Sequence, residues 1–268
     1  MTIHLREIQI RPPKDPIDRF PFSVPVVRAL DRIPFPTPVT VFVGENGSGK
    51  STLLEALARS AQMITVGSEE TQRDRTLDAL QPLVENLRLV WNKRTHRGFF
   101  LRAEDFFGYV QRLRALRLEM AADLEEIEND YRGRSDYAKA LASLPAASSL
   151  QALDAAYGDD LDANSHGESF LTLFQSRFVP EGLFILDEPE AALSPVSQLG
   201  LIAMIKDMVA RGGQFVIATH SPILMALPGA SIFDLDRRPP DFVQYNDLDS
   251  VELYRSFLEN PDSYIKRL

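Results

Sequence analysis

The chain has no cysteine among its 268 residues. That excludes a disulfide framework, a thiolate metal centre and a cysteine nucleophile, and it is compatible with the cytosol. No apolar run approaches the roughly 18 residues that a membrane span needs, so a cytoplasmic protein without direct membrane insertion is the expectation. Positive charge is also in deficit: 29 Lys and Arg stand against 38 Asp and Glu, a formal net charge of −9. This argues against coating nucleic acid through global charge and leaves a local basic patch open. The opening residues MTIHLREIQI alternate apolar and polar and carry Arg6 and Glu7 early, which reads as a strand rather than a signal peptide. Internal repeats and low-complexity tracts are missing as well.

Against these absences stands GENGSGKST at positions 44–52, directly behind the apolar run Val39–Val43 and directly before Leu53, Leu54, Ala56 and Leu57. The stretch fulfils GxxxxGK[ST] in its required context of strand, Gly-rich turn and helix. Gly44, Gly47 and Gly49 carry no Cβ, so the backbone can come close to a ligand, and Glu45, Asn46 and Ser48 complete a loop whose N–H groups form an anion nest. The following helix adds the positive end of its dipole. Lys50 is then a compact point charge for the β- and γ-phosphates, the Ser51 hydroxyl a ligand for Mg²⁺, and Thr52 a partner for a phosphate oxygen. Alone, this loop says only that a nucleoside triphosphate is bound.

Periodicity organises the remainder. Residues 3–10 read as a strand, and the Pro-rich stretch 12–38 excludes a long helix. A helix is expected over 50–63 and a loop over 68–76. Strands at 87–90 and 98–101 flank a basic turn, 92–97. Between 106 and 142 the pattern becomes charged and helix-favouring, with Leu113, Leu116, Met120, Leu124 and Ile127 spaced as a packing face. A short helix follows at 149–157. Buried-type strands return at 183–186 and 215–218, separated by a helix over 194–211 that Gly212 and Gly213 close. The expectation is an α/β protein in which residues 1–105 and 175–268 form a nucleotide-binding core lobe and 106–174 an inserted helical lobe.

The strand in GLFILDEP, residues 182–189, ends in two adjacent carboxylates. In an open parallel sheet the carboxyl ends of the strands face the ligand crevice, which would bring Asp187 and Glu188 beside the phosphate loop. Asp187 suits Mg²⁺, directly or through water, and Glu188 suits the base or positioner of an attacking water. A solvated helix cap would use the same residue types, and it is the company of the phosphate loop that favours chemistry.

With a following EAALSP, whose Ala191 to Ser194 looks like a D-loop, and with THSP at 219–222, the chain resembles the ABC-type ATPases of the P-loop NTPases. HGES ahead of LDEPEAALSP, and RAE ahead of the helical block, make it similar in particular to the compact stand-alone predicted ATPases of the AAA group on the RecF and SMC-like side. The resemblance implies a mixed-sheet core with an inserted helical subdomain, hydrolysis of ATP·Mg²⁺, and a homodimer whose phosphate loops each face the other subunit's signature. It further implies a contact from His220 to the γ-phosphate. NSHGES at 164–169 stands where the family has LSGGQ: Ser165 and Gly167 match, whereas His166 replaces a glycine and Glu168 a glutamine. A carboxylate near a γ-phosphate costs energy unless neutralised, and Ser165 with Glu168 also reads as a capping box. In RAEDF, residues 102–106, Glu104 is the candidate for the metal or water contact of the Q-loop. Phe20 and Phe22 are candidate adenine partners, or core residues.

Other functions stay open on the same residues. One is the nucleotide-binding subunit of a transporter. Another is a nucleic-acid-associated ATPase using Arg88, Lys93, Arg94, Arg97 and Arg102 with Trp91, Phe99 and Phe100, a run that also reads as a solvated hairpin face. A third is a nucleotide sensor without useful turnover. The effector protein is unknown on every reading.

Overall fold

The computed structural model describes residues 2–11, 18–66, 75–157 and 166–266. Strand β1 (Leu5–Ile10) is followed by the short helix α1 (Pro25–Ala29) and by β2 (Arg32–Pro34). Next, β3 (Val39–Val43) feeds the phosphate loop and α2 (Lys50–Ser60). A 3₁₀ turn, Arg75–Leu80, leads to α3 (Gln81–Asn86), β4 (Leu87–Trp91) and β5 (Gly98–Arg102). The helical block comprises α4 (Ala103–Asp130), α5 (Asp136–Tyr157) and α6 (His166–Arg177). It is followed by β6 (Leu183–Asp187), α7 (Pro195–Ala210), β7 (Gln214–Ala218), α8 (Pro222–Met225), β8 (Ser231–Asp234), β9 (Asp241–Val243), α9 (Asp249–Glu259) and α10 (Pro261–Ile265). No helix among the described residues is long and apolar enough to cross a membrane.

Six strands form the main sheet in the order β5-β6-β7-β3-β8-β9. All neighbours run parallel except β9, which is antiparallel to β8. Every residue of β3, β6 and β7 is buried, because both faces are covered and a central parallel strand must be apolar on both sides. One face carries Val39, Val41, Leu186 and Ile217 against α6 and α7; the other carries Phe42, Ile185 and Val216 against α2. The pairs Phe42↔Ala218 and Asp187↔Ala218 keep β3, β6 and β7 level. Their carboxyl ends therefore open onto one edge of the sheet, where Gly44, Glu188 and Thr219 emerge side by side.

A smaller antiparallel sheet, β2-β1-β4, closes over the far side of α2. Gln214 joins the two sheets: its Oε1 accepts from the N–H groups of His4 and Leu5, each at 2.8 Å, and its Nε2 donates to the Leu5 carbonyl at 2.8 Å. Such a fully buried amide is tolerable because its bonding capacity is used.

The main sheet departs from the sequence expectation at β4 and β5. They are not the two arms of a hairpin: β4 pairs with β1, whereas β5 lies at the edge of the main sheet against β6. Each strand takes the partner that buries it, and Phe99, Phe100 and Leu101 of β5 find theirs across the parallel sheet. The segment expected to hold a short helix over 149–157 is the end of the longer α5, which runs through Pro145. Of the apolar stripe on α4, Met120, Leu124 and Ile127 are half-buried and Leu116 is 40% exposed. The side chain of Leu113 lies outside the described residues. Helix α6 crosses the 174/175 lobe boundary and places Phe170 and Phe174, four residues apart, fully inside the core beside Phe99, Phe184 and Phe215.

Gly98 begins β5 with φ +114°, and a Cβ there would lie 1.7 Å from the Leu183 carbonyl oxygen. Neither the backbone angle nor the neighbouring strand can yield. Gly98→Ala is therefore expected to lower the unfolding free energy by roughly 3 kcal/mol or more, read as a shift of the urea midpoint; a midpoint equal to wild type would contradict the β5–β6 pairing.

Candidate functional site

The site is built where β3 turns into α2. Gly49 has φ +103°, and a Cβ on it would come within 2.6 Å of Val24 and Val26 methyl groups. The start of α1 thus closes behind the loop, and only glycine fits. Gly49 is also the N-cap of α2, in the left-handed region and without a capping side chain. The first-turn N–H groups of α2 consequently have no side-chain partner there and, with the dipole, favour an anion.

Lys50 is buried and turned back on its own loop, its Nζ donating to the Gly44 carbonyl at 2.8 Å and the Glu45 carbonyl at 3.1 Å. Burial holds its pKa below the usual lysine value, opposed by the charges of Glu188, Asp187, Asp236 and Glu190. Asp236, just past β8, accepts from the Glu45 N–H at 2.5 Å. Nothing local in the sequence marks Asp236; the parallel pairing of β3 with β8, ending at Val43↔Asp234, carries it to the loop.

Asp187 ends β6 almost fully buried, and that burial pushes its carboxyl up to about 7. The neighbouring Ser51 hydroxyl, which favours the ionised form, offsets this only in part, and the charges of Glu188 and Glu55 add to the upward shift. Its Oδ1 is buried without a hydrogen-bond partner among the described residues. A buried carboxylate with a spare oxygen beside a hydroxyl fits a hard divalent cation. Among the described residues no group of three or more His, Asp or Glu forms a complete cation cage, so phosphate oxygens of a ligand would have to complete the shell around Ser51 and Asp187.

Beyond Asp187 the chain turns sharply. Glu188 sits at φ 50°, ψ 50°, in the left-handed region, and its N–H donates to the Ala218 carbonyl at 2.9 Å. A non-glycine residue in this region costs on the order of 1 kcal/mol. It directs the Glu188 side chain toward β7, where Oε1 lies 3.6 Å from His220 Nε2. Both side chains are about 40% exposed, at 42% and 39%, while the His220 Nε2 atom itself is buried. The D-loop-like segment, residues 191–194, starts at the end of a 3₁₀ turn, Pro189–Ala192, and closes on Ser194, which caps α7 by accepting from the Ser197 N–H at 3.1 Å. Sequence reading missed Glu190, whose Oε1 accepts from the His220 N–H at 2.6 Å.

Thus the fold brings the phosphate loop (Gly44, Glu45, Asn46, Gly47, Ser48, Gly49, Lys50, Ser51 and Thr52), Asp187, Glu188 and His220 to one crevice. Ser165 lies outside the described residues, as do the side-chain surroundings of Glu104, Gly167 and Glu168. Phe22 is buried in the core and is not placed to stack on a base; Phe20 is 49% exposed.

The basic cluster is dispersed. Arg102 is buried, donating from Nε and Nη2 to Asp105 at 2.6 and 3.0 Å, and lies 3.5 Å from Glu55. It neighbours Asp187 across the β5–β6 ladder, so it belongs to the interior of the site and not to a surface. Lys93 pairs with Glu181 at 3.0 Å, and Phe99 and Phe100 are core residues.

Two family models match the chain: "AAA domain" over residues 23–78, and "AAA domain, putative AbiEii toxin, Type IV TA system" over residues 169–226. The first spans the phosphate loop and the second spans LDEP and THSP. The cytochrome c biogenesis ATP-binding export protein CcmA of Rhodospirillum rubrum is 41% identical over 66 residues, which is 23% of this chain and 26% of that protein. The match thus spans about a quarter of that relative. Among solved structures, an ATP-binding cassette of an ABC transporter in its ADP conformation is similar at 17% identity and TM-score 0.46, covering 94% of this chain and 99% of that one. The Smc head domain from Pyrococcus furiosus, with an extended coiled coil and the C-terminal domain of ScpA, is similar at 13% identity and TM-score 0.44, covering 96% and 98%. The two AAA-domain matches fall on the two sides of one folded crevice, and with the CcmA match they make the chain similar to P-loop ATPases of the ABC type.

Proposed function

We propose that the chain hydrolyses ATP at a composite site formed when two copies associate around the nucleotide, and that it couples this cycle to an effector protein. The observation that carries this reading is the convergence of Lys50, Ser51, Asp187, Glu188 and His220 at the level carboxyl ends of β3, β6 and β7. The loop N–H groups and the α2 N-terminus take the phosphates. Lys50 exchanges its bonds to the Gly44 and Glu45 carbonyls for phosphate oxygens. Glu188 orients and deprotonates the attacking water, and His220 contacts the γ-phosphate. Ser51 and Asp187, with Glu104 as a further candidate contact, would hold Mg²⁺, which when bound neutralises charge developing on the phosphates.

Four carboxylates, Asp187, Glu188, Glu190 and Asp236, act on Lys50. A nucleotide polyanion therefore requires the divalent cation to enter such a field. Residues 1–105 and 175–268 are assigned as the nucleotide-binding lobe, and 106–174 as the lobe whose Ser165, Gly167 and Glu168 face the nucleotide of the second copy. The partly exposed Glu188 side chain supports this arrangement, since it presents a face for a second chain to cover.

The purified protein is expected to release phosphate from ATP with Mg²⁺ and to sediment as a dimer in its presence, with both effects lost on chelation by EDTA. Turnover with equal rates in EDTA would remove Mg²⁺ from the reading, and neither ATP binding nor turnover would remove the ATPase. The similarity to CcmA supports a second reading, a nucleotide-binding subunit acting with a membrane partner, which predicts turnover only after that partner is added.

A further inference from the structure

We propose that Glu190 is a positioning residue that staples His220 against Glu188. This rests on the ATPase reading in one respect: His220 is taken to act on the γ-phosphate.

The last paired residues of β6 and β7 are Asp187 and Ala218. Beyond them the ladder continues by only one bond, from the Glu188 N–H to the Ala218 carbonyl. The next link is made by a side chain. Glu190 Oε1 accepts from the His220 N–H at 2.6 Å, so the two strand ends are tied twice in opposite directions. Between these two ties lies the Glu188–His220 pair, at 3.6 Å.

The staple is stiff on the β6 side. Glu190 belongs to the turn Pro189–Ala192, held by the Ala191 N–H on the Glu188 carbonyl at 3.1 Å and the Leu193 N–H on the Glu190 carbonyl at 2.9 Å, with Pro189 and Leu193 buried. On the β7 side the segment has less to hold it. Thr219 N–H reaches the Phe42 carbonyl at 3.2 Å, and Ser221 N–H bonds to Thr219 Oγ1 at 3.0 Å. His220 itself has no other backbone tie, and its Nε2 has no hydrogen-bond partner among the described residues. The direction of its ring therefore depends on the bond to Glu190.

A carboxylate is a costly choice for an ordinary loop tie. Glu190 Oε2 is buried without a hydrogen-bond partner among the described residues, and leaving such an oxygen unsatisfied is unfavourable. A neutral acceptor would tie the backbone with less desolvation. The carboxylate supplies a shorter, charge-assisted bond at the one position that sets the spacing of two reacting side chains.

The test combines a resonance with kinetics on the full chain. In the nucleotide-free protein, the ¹H–¹⁵N amide signal of His220 should lie downfield, move upfield in Glu190→Ala and return in Glu190→Gln, which keeps an acceptor oxygen. Glu190→Ala should lower kcat about tenfold or more with KM for ATP changed less than about threefold, and Glu190→Gln should recover most of that loss. Glu190→Asp, which keeps the charge but withdraws the oxygen, should lose turnover as the alanine variant does, and serves if the latter fails to fold. The double variant Glu190→Ala with His220→Ala should be no slower than His220→Ala alone. Losses that multiply in the double variant, or an unmoved His220 amide in Glu190→Ala, would overturn the staple while leaving the ATPase standing. A wild-type protein without phosphate release would overturn both.

Discussion

Glu188→Gln is expected to reduce steady-state phosphate release by about 10²–10⁴-fold while ATP is still bound. Glutamine keeps the shape of the side chain and the bond from the residue 188 N–H to the Ala218 carbonyl, so the turn at the end of β6 survives. It loses the capacity to accept a proton from water. It also removes one of the negative charges acting on Lys50, so affinity for the nucleotide should hold or rise. Bound ATP that is not turned over should keep two copies together, and sedimentation of the variant with ATP·Mg²⁺ should show a dimer more persistent than that of wild type. The variant also provides bait for the effector protein in a pull-down. A turnover rate within about threefold of wild type would take Glu188 out of the chemistry.

Asp187→Asn is expected to have opposite effects on activity and stability. The Asp187 carboxyl has its ordinary value of 3.8 raised to about 7 by burial. Because the native value is the higher one, the native state holds a proton that the unfolded state has already released. Stability from this group is therefore fully present below about pH 4 and is lost as pH rises through about 7. At about 1.4 kcal/mol per pH unit, the loss in metal-free protein is on the order of 4 kcal/mol above neutrality.

Urea unfolding of wild type and Asp187→Asn without divalent cations should then give similar free energies near pH 4 and diverge toward pH 8, with the variant more stable by a few kcal/mol. Mg²⁺ should restore wild type and leave the variant unchanged, since the cation stabilises only a fold that binds it. The same substitution should cost at least about a hundredfold in turnover. Parallel pH profiles for the two proteins would show that Asp187 is not held against its charge.

The parts of the site legible in the sequence are those whose chemistry is local. GENGSGKST needs nine consecutive residues and a strand before it, all visible in one window. LDEP ends an apolar run, and THSP follows another. Glu190 and Asp236 left no such mark. Each is one acidic residue among 38, and each acquires meaning only from a backbone N–H contributed by a distant segment, that of His220 or Glu45.

Arg102 shows the reverse error. Grouped by sequence with Lys93, Arg94 and Arg97, it read as part of a basic face; in the fold it is buried beside Asp105, Glu55 and Asp187. The strands β4 and β5 misled for the same reason. Both are short and apolar, and nothing within either says that one will pair with β1 and the other with β6.

What the sequence by itself determined is the covalent and conformational equipment: glycines where the loop must take positive φ, a lysine and a hydroxyl at the first turn of α2, a carboxylate pair where β6 ends, and a histidine after β7. What only the tertiary structure decided is how these parts act on one another. Parallel register across β6, β7 and β3 sets Glu188 3.6 Å from His220. Burial at the same edge raises Asp187 and lowers Lys50, and the carboxylates of Asp236 and Glu190 take up N–H groups of the loop and of His220. Distance and solvent exclusion are set by residues far apart in the chain, so they belong to the folded molecule and to no segment of it.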